Sequence, residues 1–517
     1  MNYRLLWGTL KHLRPTQVFF QVYYRLHKPV YQAMAAPQDG ERAAACGFKT
    51  EPIARWRCWW LPTIGTAEDA PQADRQHHFC FLNIAAPFTT WNETSHGMLW
   101  AYNQNYMDWL NQEGIGKEDC CFWIDKFVEE LPQNRIGLDP YPIALRSINW
   151  VKMMMRWPDC ATRERRDSLY SQLRMLERKL EYHLLANHLL EDAYALYIGA
   201  AFFADRRLLK KAKRLLEGQL KEQILKDGAH YEQSPMYHCI LLDRLLDAIN
   251  IGERCAVNGV ELRKYAKRMV GWLKSMTYSD GSFPLLNDTA EGIAPKPRDI
   301  IDYARRLGIE SEATELGESG YRKLANGRME AFVDVGNITA TYQPGHTHAD
   351  SLNYELRIDG KPFVVDTGIS TYNKNERRQL ERSSKAHNVV VAEGKDSSEV
   401  WGGFRVGRRA KVFLEHESPQ IDHKSPLMIS AEHDGYNKPV KRRLEMSDGV
   451  FVVEDWYDGE AVSYIHLAEG IKPERIQVEG VTAIDIKPWK YSTEYNRFHD
   501  GTVIEIKFDK YLKYTIR

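Results

Sequence analysis

The hydrophobic pattern of the chain changes its period near residue 330. Before that point, apolar residues recur at intervals of three and four along residues 168–203, 208–225 and 236–251, which predicts amphipathic helices. Short clusters of Gly, Pro and Asp separate these segments, so we expect antiparallel helix pairs joined by short turns. After residue 330, apolar and polar residues alternate, as is typical of strands.

Seven strands are predicted in the second half of the chain. They cover residues 329–335, 337–342, 352–358, 363–366, 388–392, 410–416 and 450–456. Turn dipeptides such as Asp359-Gly360 separate runs of this kind, which favours an antiparallel sandwich or stacked sheets. The sequence therefore predicts an α+β chain in three parts. A mixed region spans residues 1–95, a helical domain residues 96–330, and an antiparallel β-sheet domain residues 331–517.

Composition narrows the class of protein. A chain of 517 residues exceeds the size of one ordinary domain, and a hydrophobic content of 43% supports a large core and excludes general disorder. Lys and Arg number 70, as do Asp and Glu, so the formal net charge is zero. The chain therefore lacks the overall positive charge that would attract nucleic acid, although local basic patches are still possible.

The sequence shows no transmembrane helix, signal peptide or C-x-x-C motif. No apolar run reaches the length of a transmembrane helix, and the run at residues 5–10 is too short for a signal-peptide core. We therefore expect the chain as it stands to act in the cytoplasm, or in the periplasm if its start is truncated or re-cloned. The eight cysteines form no C-x-x-C pair, so reduced thiols are expected instead of disulfides or a thiolate zinc site.

A cluster of metal-binding residue types lies in the β half. His346, His348 and Asp350 alternate and would share one face of a strand, while Asp366 ends the next strand and His387 precedes a later one. Two histidines and an aspartate from neighbouring segments suit a tetrahedral zinc site. The alternative is that these are hydrogen-bonded histidines in turns.

The helical half offers two further polar spots. Asn187 and His188 lie in the middle of a predicted helix among apolar residues, where a buried amide needs a specific partner or is a satisfied core group. Arg146 lies in an aromatic segment, a setting that also fits an ordinary salt-bridge residue.

A turn before a helix holds the other polar spot. Ser234 and Pro235 are typical of the N-cap and first position of a helix. Glu232, Tyr237 and His238 crowd the same turn, and helix capping alone does not explain them.

Three sequence blocks in the β half resemble the heparinase II/III family of polysaccharide lyases. The blocks are G-H-x-H-x-D-x-L at residues 345–352, V-D-x-G-x-x-x-Y at 365–372 and S-x-A-H-N at 384–388. Weaker helical blocks agree with this resemblance, namely N-H-L-L at 187–190 and E-x-S-x-x-Y-H at 232–238. The resemblance covers roughly residues 80–400.

The resemblance implies a fold and a reaction. The fold would be an incomplete α/α toroid followed by antiparallel β-sheets, with the active site in the cleft between them. The reaction would be β-elimination at a uronic acid of an anionic polysaccharide, leaving a 4,5-unsaturated sugar. Candidate substrates are glycosaminoglycan-like polymers, such as heparosan or hyaluronan, and bacterial exopolysaccharides.

The resemblance also assigns catalytic roles. Asn187 and His188 would neutralise the uronate carboxylate, because the C5 proton is too weakly acidic beside a charged carboxylate. Tyr237 would act as base, as acid, or as both, and His346 would be the second catalytic group. Tyr372 is a candidate helper near the leaving group.

The resemblance implies a metal site, and local basic residues suggest where an anionic substrate would bind. A structural zinc ion would be held by His348, Asp366 and His387. The expected substrate-binding residues are Arg146, Glu232, His238, Arg378 and Arg382. A tyrosine base needs a lowered pKa, which a cationic Arg146 or His238 would supply.

Two other functions stay open at this stage. A zinc-dependent glycan hydrolase would need an acidic base, for which Asp350 or Glu355 is available. A non-catalytic carbohydrate-binding protein with the same fold is the other alternative, although the complete set of catalytic residue types argues against it.

Overall fold

The computed structural model describes residues 3–54, 59–61, 78–257, 261–418 and 426–517. Within these residues the α-helices are concentrated in the first part of the chain. They are α1 Tyr3–Leu10, α2 Pro15–Leu26, α3 Asp39–Cys46, α4 Met98–Tyr106, α5 Lys117–Glu130, α6 Pro140–Arg156, α7 Arg163–Arg178, α8 Ala186–Phe202, α9 Arg206–Gln223, α10 Pro235–Arg254, α11 Leu262–Ser275, α12 Pro297–Arg306 and α13 Glu376–Glu381.

The strands are concentrated in the second part. They are β1 Trp59–Leu61, β2 His78–Phe81, β3 Ile84–Pro87, β4 Tyr321–Asn326, β5 Met329–Asp334, β6 Tyr354–Ile358, β7 Lys361–Val364, β8 Val390–Ala392, β9 Val400–Trp401, β10 Arg405–Val406, β11 Val412–Glu417, β12 Leu427–His433, β13 Val440–Ser447, β14 Val450–Leu467, β15 Ile476–Glu494 and β16 Arg497–Ile516. The predicted α+β order, helices followed by antiparallel sheet, is confirmed.

Helix α8 forms the centre of the helical part. It packs against α6, α9 and α10, and every residue of α8 except His188 is buried. A helix that is apolar on all sides has no face suited to water, so its neighbours must surround it. His188, whose side chain is 31% exposed, therefore marks the side of α8 that its neighbours do not cover.

The helix predicted over residues 168–203 is two helices. Helix α7 ends at Arg178 and α8 begins at Ala186, after Leu185 with a φ of +64°. The apolar spacing continues through the connecting loop because Leu180 is buried there, while the backbone N–H of Glu181 donates to Oδ2 of Asp192 at 2.7 Å. Asn187 accordingly lies in the first turn of α8 and not in mid-helix.

One eleven-stranded antiparallel sheet occupies the second part. Its main path runs β11-β12-β13-β14-β7-β6-β5-β4, with β16 and β8 also paired to β14 and with β15 paired to β16. The sheet curls until β4 contacts β12 and β13, so its own arms enclose a hydrophobic core. The result is a single curled sheet where the sequence favoured a sandwich or stack.

Two sequence boundaries shift in the structure. Strand β4 begins at Tyr321, so the proposed boundary at residue 330 falls inside the hairpin of β4 and β5. Residues 337–342 form no strand, because the side chain of Asn337 bonds both N and O of Val412 and Thr339 bonds the helical part at Gln233. The alternating pattern there serves contacts between the two parts.

The described residues contain neither a membrane-spanning helix nor a disulfide bond. No helix in those residues has the length and apolar character needed to cross a bilayer. The seven cysteines within them are free of disulfide bonds, and Cys58 lies outside the described residues.

Candidate active site

A cleft lies between the helical part and the curled sheet. The helical part contributes side chains from α4, α6 and α10, and the β part contributes Tyr372 and Tyr495. The polar and aromatic lining residues are Asn103, Tyr106, Asp108, Tyr141, Tyr237, Arg244, Tyr372 and Tyr495. An aromatic wall with a few polar groups is the usual surface of a site for a sugar or another small molecule.

The start of α10 places Tyr237 at this cleft. Ser234 is the N-cap, its Oγ accepts from the backbone N–H of Tyr237 at 3.2 Å, and Pro235 follows, as the sequence predicted. The hydroxyl of Ser234 also donates to the carbonyl oxygen of Asp288 at 2.6 Å. Tyr237 is thereby fixed in the first turn of a helix whose start is bonded to a second segment.

The rings of Tyr237 and His346 stack. Their centroids are 3.9 Å apart with an interplanar angle of 20°. The hydroxyl of Tyr372 donates to Oη of Tyr237 at 3.4 Å. Three groups that can exchange protons therefore meet at one point of the cleft, from α10 and from two segments of the β part.

A buried carboxylate lies behind this stack. Glu232 accepts from the backbone N–H of Asn187 at 2.8 Å and from its side-chain amide at 2.9 Å, and its Oε2 lies 2.5 Å from Nδ1 of His346. Burial alone would raise the pKa of Glu232, but its contacts with His346, His230 and Asn187 outweigh burial and lower the pKa to about 2. The group is therefore a carboxylate at neutral pH.

Asp288 forms a second buried centre. Its carboxylate accepts from both terminal nitrogens of Arg378, at 2.5 and 2.6 Å, and contacts Nε2 of His348 at 2.8 Å. Burial opposes ionisation, yet the Arg378 guanidinium and His348 hold the pKa of Asp288 well below its usual range. The backbone N–H of Asp288 donates to the carbonyl oxygen of His346, which ties this centre to the stack.

Two family profiles match most of the helical and β parts. The profile described as heparinase II/III N-terminus matches residues 168–301, and the profile described as heparinase II/III-like, C-terminal, matches residues 309–511. Together they span well over half of the chain in the expected order.

The chain belongs to the heparinase II/III-like family.

Curated relatives are similar to part of this chain. A heparin-sulfate lyase of Pedobacter heparinus is 25% identical over 290 residues, which is 48% of this chain and 43% of that protein. A heparin-sulfate lyase of Bacteroides stercoris is 22% identical over 245 residues, or 42% and 37% of the two chains. This chain thus spans less than half the length of these relatives.

A crystal structure of heparinase III is similar to this chain in its fold. The superposition has a TM-score of 0.63 at 13% identity and covers 97% of this chain and 89% of the other. The superposition includes both the helical part and the curled sheet, so the two proteins share the fold of both parts.

The H-x-H segment is not a strand, as the sequence had suggested. Residues 343–353 are irregular, and His346 faces Tyr237 while His348 points inward to Asp288. Arg382 holds this conformation, because its Nη2 donates to the carbonyl oxygen of Thr347 at 2.8 Å. The two histidines therefore have different environments.

The three predicted zinc ligands lie together. His387 Nδ1 is 2.7 Å from Oδ2 of Asp366, and the rings of His348 and His387 have centroids 5.2 Å apart. Nδ1 of His348, Nε2 of His387 and Oδ2 of Asp350 are buried there without a hydrogen-bond partner. These donors fit zinc in kind, although in the described part of the chain no three such side chains converge as metal ligands.

Arg146 and His238 do not reach the cleft, contrary to the substrate-binding roles expected for them. Arg146 is fully buried and donates to Gln172 and to the carbonyl oxygens of Asn105 and Gly137. His238 is fully buried with both ring nitrogens within hydrogen-bond distance of backbone groups, and burial lowers its pKa to about 3. Both residues support the helical core.

Arg378, Arg382 and Glu232 do not line the cleft either. Arg378 and Arg382 are completely shielded from solvent, and Glu232 is 3% exposed. All three bond segments that carry cleft residues, so they position the site. The structure thus favours a positioning role for them, and their expected substrate-binding roles stay predictions.

Burial raises the pKa values of Tyr237 and Tyr372 above that of a free tyrosine. The sequence had called for a lowered pKa at Tyr237, supplied by Arg146 or His238. The structure places neither of them beside the phenol, and Arg378 offsets burial only in part. Tyr237 is therefore protonated at neutral pH.

His188, one of the predicted catalytic residues, is partly exposed to solvent. It lies at the open side of α8, with its ring centroid 4.7 Å from that of Tyr141 in the cleft wall. Burial alone would lower its pKa, but Glu181, 3.2 Å from Nδ1, outweighs this and raises it. A cationic imidazole can thus form at the edge of the cleft.

Neither candidate base of a hydrolase lines the cleft. Glu355 is buried and accepts from N of Leu285 and Oη of Tyr278, and burial raises its pKa to about 7. Asp350 is buried beside His387, where burial raises its pKa to about 6. Glu355 joins the helical part to the sheet.

The sequence analysis assigned no role to Arg244 or to Asp288. Arg244 lies seven residues after Tyr237 on α10, so the two share one helix face and both line the cleft. This seven-residue spacing could have identified Arg244 from the sequence. Asp288 lies in a loop, and no periodicity distinguishes it from other turn aspartates.

Arg378→Lys tests the positioning role of Arg378. Lysine keeps the charge but loses the two-point contact with Asp288, so we expect the free energy of unfolding to fall by about 2–3 kcal/mol. Arg377→Lys is the matched control, because Arg377 is a partly exposed neighbour on the same helix that bonds Glu381 and the carbonyl oxygen of Lys490 but not Asp288. Urea unfolding of both variants measures the difference, and unchanged stability of Arg378→Lys would contradict the assignment.

Proposed function

We propose that this chain is a polysaccharide lyase that cleaves a uronate-containing anionic polysaccharide by β-elimination. The observation that carries the proposal is the stack of His346 on Tyr237 with the Glu232 carboxylate behind it. This arrangement supplies a base, an acid and an orienting group at one place in an aromatic cleft. The curated relatives are named heparin-sulfate lyases, which supports a glycosaminoglycan-type substrate.

The uronate carboxylate needs a partner before the C5 proton can be removed. The side-chain amide nitrogen of Asn187 donates to both carboxylate oxygens of Glu232, at 2.9 and 3.2 Å, which orients the amide group. His188 lies at the cleft edge, and Glu181 raises its pKa, which favours the cationic form of the imidazole. We assign these two residues to the carboxylate, because hydrogen bonding and positive charge stabilise the enolate-like intermediate.

The proton transfers follow from the positions of the side chains. The Glu232 carboxylate beside Nδ1 of His346 favours a proton on that nitrogen, which leaves the lone pair of Nε2 to accept the C5 proton. The C5 electron pair forms the C4–C5 double bond, and the C4–O4 bond breaks. The departing O4 takes the proton of Tyr237, whose raised pKa keeps it protonated until that moment.

Tyr372 assists Tyr237 in this scheme. Its hydroxyl donates to Oη of Tyr237, so the proton of Tyr237 is free to point into the cleft. A syn elimination, in which Tyr237 serves as both base and acid, would dispense with His346 as the base. The activity of a His346→Ala variant separates these two routes.

We further propose that His348, Asp366 and His387 hold a structural zinc ion. The support is that Nδ1 of His348 and Nε2 of His387 are buried there without hydrogen-bond partners and that Asp366 contacts His387. When bound, the ion would join three segments beneath the cleft and so restrain His346. The remaining steps use only the side chains of the cleft.

Tyr237→Phe tests the acid role. Removing the phenol proton should lower kcat by roughly 10²- to 10⁴-fold with little loss of stability. The measurement is the ultraviolet absorbance of the unsaturated product on heparosan, hyaluronan, alginate and gellan-type polymers. Tyr231→Phe is the matched control, since its hydroxyl contacts Tyr342 outside the cleft.

Three outcomes of that assay decide between functions. A lyase gives the new absorbance, a hydrolase gives new reducing ends without it, and a binding protein gives neither. Wild-type turnover by Tyr237→Phe would remove Tyr237 from the acid role.

His348→Ala tests the zinc proposal. Because a structural zinc is coupled to folding, this variant should lose both metal content and thermal stability. His433→Ala is the control: it removes another buried histidine of the sheet and should lower stability while leaving metal content unchanged. Elemental analysis of the purified proteins measures the metal, and equal zinc content in His348→Ala would contradict the assignment.

A further inference from the structure

Helix α2 turns its apolar face to the solvent. The side that faces the protein carries Gln17, Phe20 and Tyr24. The outer side carries Val18, Phe19, Val22 and Leu26, with exposed fractions of 51, 61, 53 and 74%. A helix on a soluble surface normally has the opposite arrangement, so this face lacks a partner among the described residues.

The orientation of α2 is fixed by specific bonds. The amide of Gln17 donates to the carbonyl oxygen of Leu184 at 3.2 Å, and the hydroxyl of Tyr24 donates to that of Leu180 at 2.6 Å. The ring of Phe20 stacks on Tyr182 with centroids 4.8 Å apart. The outer face is therefore held outward by contacts on the inner face.

Helix α1, which precedes α2 in the chain, also has exposed apolar side chains. Tyr3, Trp7 and Leu10 are exposed on it, and the hydroxyl of Thr9 bonds the carbonyl oxygen of Val406 in the β part. Ten of the exposed large apolar side chains in the described residues lie between positions 3 and 34. The apolar surface is thus concentrated in one segment of the chain.

The Lys and Arg residues of this segment are not balanced by acidic residues. Residues 1–38 contain no Asp or Glu, while they contain five Lys and Arg residues, in a chain that is neutral as a whole. Beside α2, Tyr182 lines a shallow groove together with Arg207, Lys210 and Arg214 of α9. These three cations form no ion pair among the described residues.

We propose that α1 and α2 form an interfacial anchor that binds the surface of an anionic lipid bilayer. Exposed aromatic and aliphatic side chains flanked by cations are the combination that inserts at the boundary of headgroups and acyl chains. Cations nearby add attraction to anionic headgroups. A two-fold contact between copies would instead bring two acid-free, cationic segments together.

The test is co-flotation of the full chain with lipid vesicles. Vesicles of phosphatidylcholine alone are compared with vesicles containing about 30% phosphatidylglycerol. We expect binding to the anionic vesicles, and weaker binding at high salt. The variant Phe19→Ser/Val22→Ser/Leu26→Ser should bind roughly tenfold more weakly, because three apolar side chains no longer insert.

The matched control is Ile484→Ser/Ile486→Ser, which removes two exposed apolar side chains of β15 and should bind like the wild type. Circular dichroism of each variant checks that the fold is retained. The proposal is overturned if the wild type does not float with anionic vesicles, or if the triple variant floats equally well. A wild-type dimer that the triple variant converts to monomer would overturn it in favour of a contact between copies.

Discussion

The Glu232 carboxylate is the interaction on which the cleft depends. It bonds the first turn of α8 through Asn187 and contacts His346 from the β part, so one group fixes side chains from both halves of the chain. Burying a charge is costly unless it is paired and hydrogen bonded, and here every contact favours the ionised form. The same carboxylate orients the amide, selects the imidazole tautomer and satisfies an N–H group at the start of a helix.

A second layer of buried charges supports this centre. Asp288 pairs with Arg378 and contacts His348, and Arg382 bonds the carbonyl oxygen of Thr347 between the two histidines. Buried pairs of this kind contribute little net stability, but loss of one partner leaves an uncompensated charge. We infer that they set the loop conformation that presents His346 to Tyr237.

The sequence predicted the parts of this molecule that depend on local pattern. Six of the seven predicted strands, helices α7 to α10 and the cap at Ser234 follow from periodicity and turn chemistry, and the motif blocks locate Tyr237 and His346. The break before Asn187 was missed because buried leucines keep the helical spacing through the loop. Arg146, Arg378 and Arg382 were given substrate roles because a sequence does not distinguish a guanidinium bonded to carbonyl oxygens from one at a cleft surface.

The kinetics of a Glu232→Gln variant test this account most directly, using whichever uronate polymer the wild type cleaves best. Glutamine preserves the shape and the contact with Asn187 but removes the charge beside His346. We expect kcat to fall by about 10²- to 10⁴-fold while thermal stability changes little. Glu222→Gln, which alters a carboxylate bonded to Tyr342, should keep wild-type turnover. Wild-type turnover by Glu232→Gln would contradict the role of this carboxylate.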